Sequence, residues 1–311
     1  MNKLAFIFPG QGAQYVGMGK DLYDNFKEAR HIFDEADKAL NEKISKICFE
    51  GPEEKLQETV NTQPAILTHS TACFSILKAN GIIPDIVAGL SIGEYSALVA
   101  AESIKFEQAV PLVQKRGRFM QEAVPLGEGG MAAILGLTKE EVLEICSIAS
   151  KEGVVEAANF NCPGQIVIAG EAKAVSAAIE LAKEKGAKKA IPLAVSAPFH
   201  CSLMKPAAEK LSVELEKVDI TNPKIPVVAN VNAEIVPSSN AIKEFLIRQV
   251  YSPVFWEDCV RKMMDFGADV FVEVGPGKAL SGFVKKISKD VTVLNAGDSE
   301  SLKKTINYFG G

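Results

Sequence analysis

The sequence predicts an α/β protein: a parallel sheet covered by helices on both faces, with a smaller β-α-β-β-α-β unit inserted in it. Three observations carry this reading. Short apolar runs that do not alternate end in turn residues and lead into helical patterns, as strands of a doubly covered parallel sheet do. Three of these runs are followed by glycine-rich loops, after Phe8, Val87 and Val274. The middle of the chain has a different rhythm, with two strands meeting at a tight turn. In parallel sheets of this kind, function gathers at the carboxyl ends of the strands.

The elements follow in order. LAFIF (4–8) is a first buried strand ahead of PGQGAQ, and DIVAG (85–89) is a second. MAAILG (131–136) opens the inserted unit, and Thr138 caps the helix KEEVLEICSIASKEG, with Glu141 completing a capping box. VVEAANFN (154–161) and QIVIAG (165–170) are strands joined by a Cys-Pro-Gly turn. EAKAVSAAIELAKEKG (171–186) is a periodic helix closed by glycine, and AKKAIPLAV (187–195) is the last strand of the unit. This order is the split βαβ, or ferredoxin-like, arrangement. It predicts a large domain from 1–126 and 197–311 and a small one from 127–196, with Pro125-Leu126-Gly127 and Ser196 at the joins. A cleft between them is the expected binding site. IPVVANV (225–231), DVFVEV (269–274) and TVLNA (292–296) return to the large sheet.

Composition narrows the function classes. A charged fraction of 23% is ordinary for a soluble enzyme, and a net charge of −5 without a basic arm argues against a nucleic-acid partner. No apolar run approaches the ~20 residues that span a bilayer, and MNKLAFIFPGQG reads as a strand rather than a signal peptide. Six scattered cysteines with no C-x-x-C spacing speak against a zinc site or a disulfide framework. Buried, reduced thiols in a cytoplasmic protein are expected.

The chemistry concentrates in IVAGLSIGEYSAL (86–98). Gly89-Leu90-Ser91-Ile92-Gly93 is G-x-S-x-G between an apolar strand and a helix, the context of a nucleophile elbow in an α/β-hydrolase-like core. The Ile92 backbone N–H at the helix start is then placed for an oxyanion. A nucleophilic serine needs a base, and there are three histidines. His31 lies in a charged helix and His69 in a helix apolar on most sides. His200, in VSAPFHCSLM, follows the last strand of the inserted unit. A base facing the cleft and a structural histidine both remain open for it at this point. GPGKALSG (275–282) lacks P-loop spacing and reads as a strand-to-helix turn. The K-R-G-R run around Arg116 reads, on residues alone, as a solvated helix face.

With these residues identified, the chain resembles the malonyl-CoA:acyl carrier protein transacylase family of bacterial fatty acid synthesis, whose catalytic domain also occurs in polyketide synthases. The similarity runs from Phe6 to about Leu280. FPGQGAQ (8–14), TQPAI (62–66), GLSIGEYSAL (89–98), QKRGRFMQEA (114–123), NFNCPGQIVIAG (159–170), SAPFH (196–200) and VEVGPGKALSG (272–282) match in order. The resemblance implies that Ser91 becomes malonylated, with His200 as base and then acid. It implies that the backbone carbonyl of Gln249 orients His200 and that the N–H groups of Gln11 and Ile92 form the oxyanion hole. Arg116 would bind the free malonyl carboxylate through two parallel hydrogen bonds, and the bulk of Phe199 would crowd an α-methyl group. Gln63, Asn159 and Gln165 would line the cleft or serve as turn and capping residues.

The implied reaction is ping-pong transfer from a coenzyme A thioester to the phosphopantetheine thiol of acyl carrier protein, supplying fatty acid synthesis. It calls for no metal or redox cofactor, no nucleic acid and no membrane, and for a monomer. An acidic carrier would be received by lysines such as Lys185, Lys188, Lys189, Lys285 and Lys286. One position departs from the family: Leu90 stands where histidine usually precedes the nucleophile, which leaves the hydrogen bonding behind the elbow open. A hydrolase and a non-catalytic carrier-docking subunit are the rival readings.

Overall fold

Every side chain of the first strand from Leu4 onward is buried, and alternate ones enter two different cores. In the computed structural model, which describes residues 3–195 and 197–310, this strand, β1 (Lys3–Phe8), is the middle of a five-stranded sheet. Leu4, Phe6 and Phe8 face one core, and Ala5 and Ile7 the other, as a period of two dictates. With strands numbered in chain order, β2 (Ile86–Gly89) and β8 (Ala268–Val274) flank β1. The edges are β7 (Val227–Val228) and β9 (Thr292–Ala296). All pairings are parallel, so the loops after Phe8, Gly89, Val228 and Val274 gather at one end of the sheet.

The run expected as a strand over 225–231 is one only at Val227–Val228. Pro226 brings no N–H to a ladder, and the amide of Asn230 is taken by the Glu94 carboxylate at 3.0 Å. The chain then turns back, with Ala229 N–H bonded to Glu234 O.

The second sheet contains β3 (Gly129–Leu135), β4 (Val155–Cys162), β5 (Gln165–Glu171) and β6 (Lys189–Pro192). They are antiparallel in the order β4-β5-β3-β6, which with the helices Lys139–Ala149 and Ala172–Glu184 is the ferredoxin-like arrangement. Thr138 and Glu141 form the capping box: Glu141 N–H donates to Thr138 Oγ1 at 3.3 Å, and Thr138 N–H to Glu141 Oε2 at 2.7 Å. β6 is shorter than the run 187–195 because it is an edge strand closed by Pro192. The expected exit at Ser196 lies outside the described residues. Ala132, Ile134, Ile166 and Ile168 pack under the two helices, while Met131, Ala133, Val167 and Ala169 join the core that covers the large sheet. All six cysteines are buried free thiols.

Two helices bring side chains to the carboxyl end of β2. Thr59–Ala79 is buried along most of its length, which fits its lack of a polar face. Phe106–Glu122 crosses it closely at Gly117, where a Cβ would lie 2.5 Å from the Thr59 carbonyl oxygen. Gly117→Ala is therefore expected to force these helices apart and lower stability by about 1–3 kcal/mol. Urea unfolding measures this, and an unchanged midpoint would show that the crossing tolerates a methyl group.

Candidate active site

Ser91 leaves β2 with φ of 54°, in the left-handed region that side chains disfavour. The turn closes tightly around it. A Cβ at Gly89 would lie 1.9 Å from the Gly93 carbonyl carbon, and one at Gly93 would lie 2.2 Å from the Phe8 carbonyl oxygen, so neither position admits a side chain. Asn230, two residues beyond β7, clamps the turn. Its Oδ1 accepts the Ser91 N–H at 2.7 Å and its Nδ2 donates to Gly89 O at 2.8 Å. The helix Gly93–Ala100 follows at once, which completes the strand–turn–helix context of a nucleophile elbow.

His200, at φ of 62°, brings Nε2 to 2.7 Å from Ser91 Oγ. Its Nδ1 lies 2.8 Å from the backbone carbonyl of Gln249. A carbonyl only accepts, so the proton sits on Nδ1 and Nε2 is free to take the serine proton. Burial, reinforced by the nearby Arg116 charge, lowers the His200 pKa to about 4. The imidazole is neutral at pH 7.

Arg116 is not on a solvated face; it is 1% exposed. Nη1 donates to Gln63 Oε1 at 2.8 Å, and Nη2 donates to Gln249 Oε1 at 2.9 Å and to Ser91 Oγ at 3.2 Å. The guanidinium lies 5.5 Å from the Tyr95 ring centre. Among the described residues, all of its hydrogen bonds go to neutral oxygens. Gln63 is held in turn by Nε2 against Met120 Sδ at 3.7 Å.

Reading the residues in order missed Glu94 and Asn230. Glu94 is buried, and its Oε2 accepts from Asn230 N–H and, at 2.8 Å, from Gln249 Nε2. Burial raises its pKa to about 7 despite those bonds. The available signals were an acid in the first turn of the otherwise apolar helix GEYSALVA and an asparagine at the carboxyl end of a strand. Gln249 Nε2 also donates to Ser91 O at 3.0 Å, so one connected network surrounds the elbow. Leu90 takes no polar part through its side chain; its Cδ2 packs where a Cβ on Gly10 would stand.

The remaining expected residues fall in several places. The backbone N–H groups of Gln11 and Ile92 have no hydrogen-bond partner among the described residues. Phe199 is buried, directly before His200. Asn159 is buried on β4 at its bridge to Val254, whereas Gln165 is bonded to Lys286 at 3.3 Å. Lys185, Lys188, Lys189, Lys285 and Lys286 are exposed, and Lys185 pairs with Glu144 at 2.6 Å. His31 is a surface residue 3.8 Å from Glu35, and His69 is buried with Nδ1 3.6 Å from Cys73 Sγ. Among the described residues no cluster of His, Cys, Asp and Glu is placed to hold a metal ion, and no helix is long and apolar enough to cross a membrane.

A parallel sheet with a strained serine at the end of its second strand, met by a neutral imidazole, has the geometry that serine-dependent acyl transfer requires. The chain belongs to the acyl transferase domain family, which matches residues 5–301, and it is an acyltransferase. It is 52% identical over 307 residues to the malonyl CoA-acyl carrier protein transacylase of Bacillus subtilis strain 168, covering 98% of this chain and 97% of that one. The crystal structure of the corresponding transacylase from Clostridium perfringens ATCC 13124 superposes with a TM-score of 0.96 at 51% identity, covering 99% and 97% of the two chains. A malonyl-transacylase solved in complex with its type II polyketide synthase acyl-carrier protein superposes with a TM-score of 0.96 at 43% identity, covering 99% and 100%.

Burial of two histidines fixes a pH response. His69, like His200, has its pKa lowered to about 4 by burial. Between the unfolded value near 6.5 and about 4 the unfolded chain binds more protons, so stability falls as pH falls through that window. Glu94 acts oppositely: raised to about 7, it contributes stability below about 4.5 that is lost as pH rises through 7. Each histidine contributes on the order of 3 kcal/mol across its window. Unfolding midpoints measured from pH 7 down to 4 should fall, and more shallowly in His69→Leu. Parallel slopes would mean that His69 titrates normally.

Proposed function

We propose that this acyltransferase moves a malonyl group from malonyl-CoA to the phosphopantetheine thiol of acyl carrier protein, through a malonyl ester on Ser91. The observation that carries the reading is the Arg116 guanidinium, buried, 3.2 Å from Ser91 Oγ and, among the described residues, hydrogen-bonded to no carboxylate, with Glu94 reaching it only through Gln249. Burying a cation among neutral partners is costly. An acyl group that brings its own carboxylate supplies an anion in direct contact and accepts two charge-assisted hydrogen bonds.

In the first half-reaction, Ser91 Oγ attacks the thioester carbonyl while its proton passes to His200 Nε2. The oxyanion forms against the N–H groups of Gln11 and Ile92. The C–S bond then breaks, and His200 returns the proton to the departing thiolate of coenzyme A. In the second, the carrier thiol gives its proton to His200 and attacks the malonyl ester; the C–O bond breaks and Ser91 recovers its proton. The Gln249 carbonyl keeps His200 in the tautomer both halves need. Phe199 crowds a branched acyl group, worth about 1–3 kcal/mol for one methyl. Gln63 and Asn159 line the cleft between residues 127–196 and the remainder of the chain, 1–126 and 197–311. The reaction serves fatty acid synthesis in the cytoplasm, the protein acts as a monomer, and no cofactor takes part. The exposed lysines receive the carrier.

Incubation with malonyl-CoA should add one malonyl group to the intact mass of the wild type and none to Ser91→Ala. An adduct that survives Ser91→Ala would move the nucleophile elsewhere. Arg116→Ala should reduce malonyl transfer roughly a hundredfold or more while reducing acetyl transfer far less. Turnover that is indifferent to carrier protein and yields free malonate would make the enzyme a hydrolase instead.

A further inference from the structure

The side-chain amide of Gln249 is held from both ends. Its Nε2 meets three acceptors, Glu94 Oε2 at 2.8 Å, Ser91 O at 3.0 Å and Asn230 Oδ1 at 3.5 Å, and its Oε1 meets one donor, Arg116 Nη2 at 2.9 Å. A flipped amide would set oxygen against a carboxylate and a carbonyl, and NH2 against the guanidinium. The orientation is therefore dictated, and the carboxylate is the strongest of the groups that dictate it. Glu94 is itself held by the Asn230 N–H at 3.0 Å and lies in the first turn of the helix Gly93–Ala100, where a negative charge is favoured.

We propose that Glu94 is a positioning residue for acyl selection: its carboxylate fixes the direction of the Gln249 amide, whose oxygen aims the Arg116 guanidinium at the acyl carboxylate. The proposal rests on the reading of Arg116 as the ligand of that carboxylate. Glu94 lies one residue beyond the elbow glycine but acts on the far side of the nucleophile, on which acyl group is held rather than on how the serine reacts. Asn230 is the residue that clamps the serine turn directly. A Glu94 that served only that clamp would affect every acyl group alike.

The test compares wild type, E94Q, R116A and the double variant, with malonyl-CoA and acetyl-CoA at one alkaline pH. E94Q should lower the malonyl-to-acetyl ratio of kcat/KM about tenfold, mainly through the malonyl KM. In the R116A background, E94Q should leave the ratio unchanged, because the two act through one chain of bonds. An unchanged ratio in E94Q, or equal losses for both acyl groups beside a selective R116A, overturns the proposal alone. Equal losses in R116A defeat the reading of Arg116 and the proposal with it. If E94Q does not fold, Q249M cuts the same link and keeps the backbone carbonyl that meets His200. It should lower the ratio in the same way, and an unchanged ratio there overturns the proposal.

Discussion

A guanidinium held in a protein interior with no carboxylate in hydrogen-bond contact among the described residues, Glu94 reaching it only through Gln249, is the constraint around which this site is organised. Removing such a charge from water costs several kcal/mol even after relaxation, and Arg116 meets the cost with oriented neutral dipoles. Gln63, Gln249 and Ser91 each turn an oxygen toward it, and the Tyr95 ring lies alongside. Those partners come from three stretches far apart in sequence, around residues 63, 91–95 and 249. They converge because Gly117 lets one helix close against the backbone of another and because parallel strands deliver their loops to one end. The fold thus uses a close helix crossing to keep one cation dry.

A second cost is paid in backbone geometry. Ser91 and His200 both occupy the left-handed region, worth roughly 1–3 kcal/mol apiece in strain. Hydrogen bonds over-determine both conformations: Asn230 spans the serine turn, and the Gln249 carbonyl holds the imidazole. Leu90 belongs to this account as well. The polar support of the elbow comes from Asn230, Glu94 and Gln249, so the position before Ser91 is free to be apolar and to pack against the loop at Gly10.

What the chain revealed before its structure follows from how local each signal is. Unalternating apolar runs marked β1, β2, β8 and β9, and the Thr138–Glu141 pair marked a helix start to the residue, since strand burial and capping are written in neighbouring positions. Ser91 was legible for the same reason: a strand, two glycines and a helix are contiguous. The run at 225–231 misled because its apolar character belongs to core packing as much as to pairing, and a side-chain carboxylate takes the Asn230 amide. Arg116 could not be read from its own surroundings. Lysine and arginine beside it have the pattern of a wet helix face, and the partners that receive it in the interior, Gln63 and Gln249, lie more than fifty positions away. Glu94 and Asn230 left only weak local signals for a related reason, since their meaning lies in contacts with each other and with Gln249.

The six buried thiols acquire a meaning of their own in an enzyme whose trade is thioesters. Burial raises the pKa of every one of them, from Cys48 to Cys259, and the reactive form of sulfur is the thiolate. A surface thiolate would intercept activated acyl groups by simple exchange and strand them on the wrong atom. By burying its sulfur and holding it in the protonated form, the protein withholds that competing acceptor from the acyl group. Chemical selectivity here includes what the interior withholds.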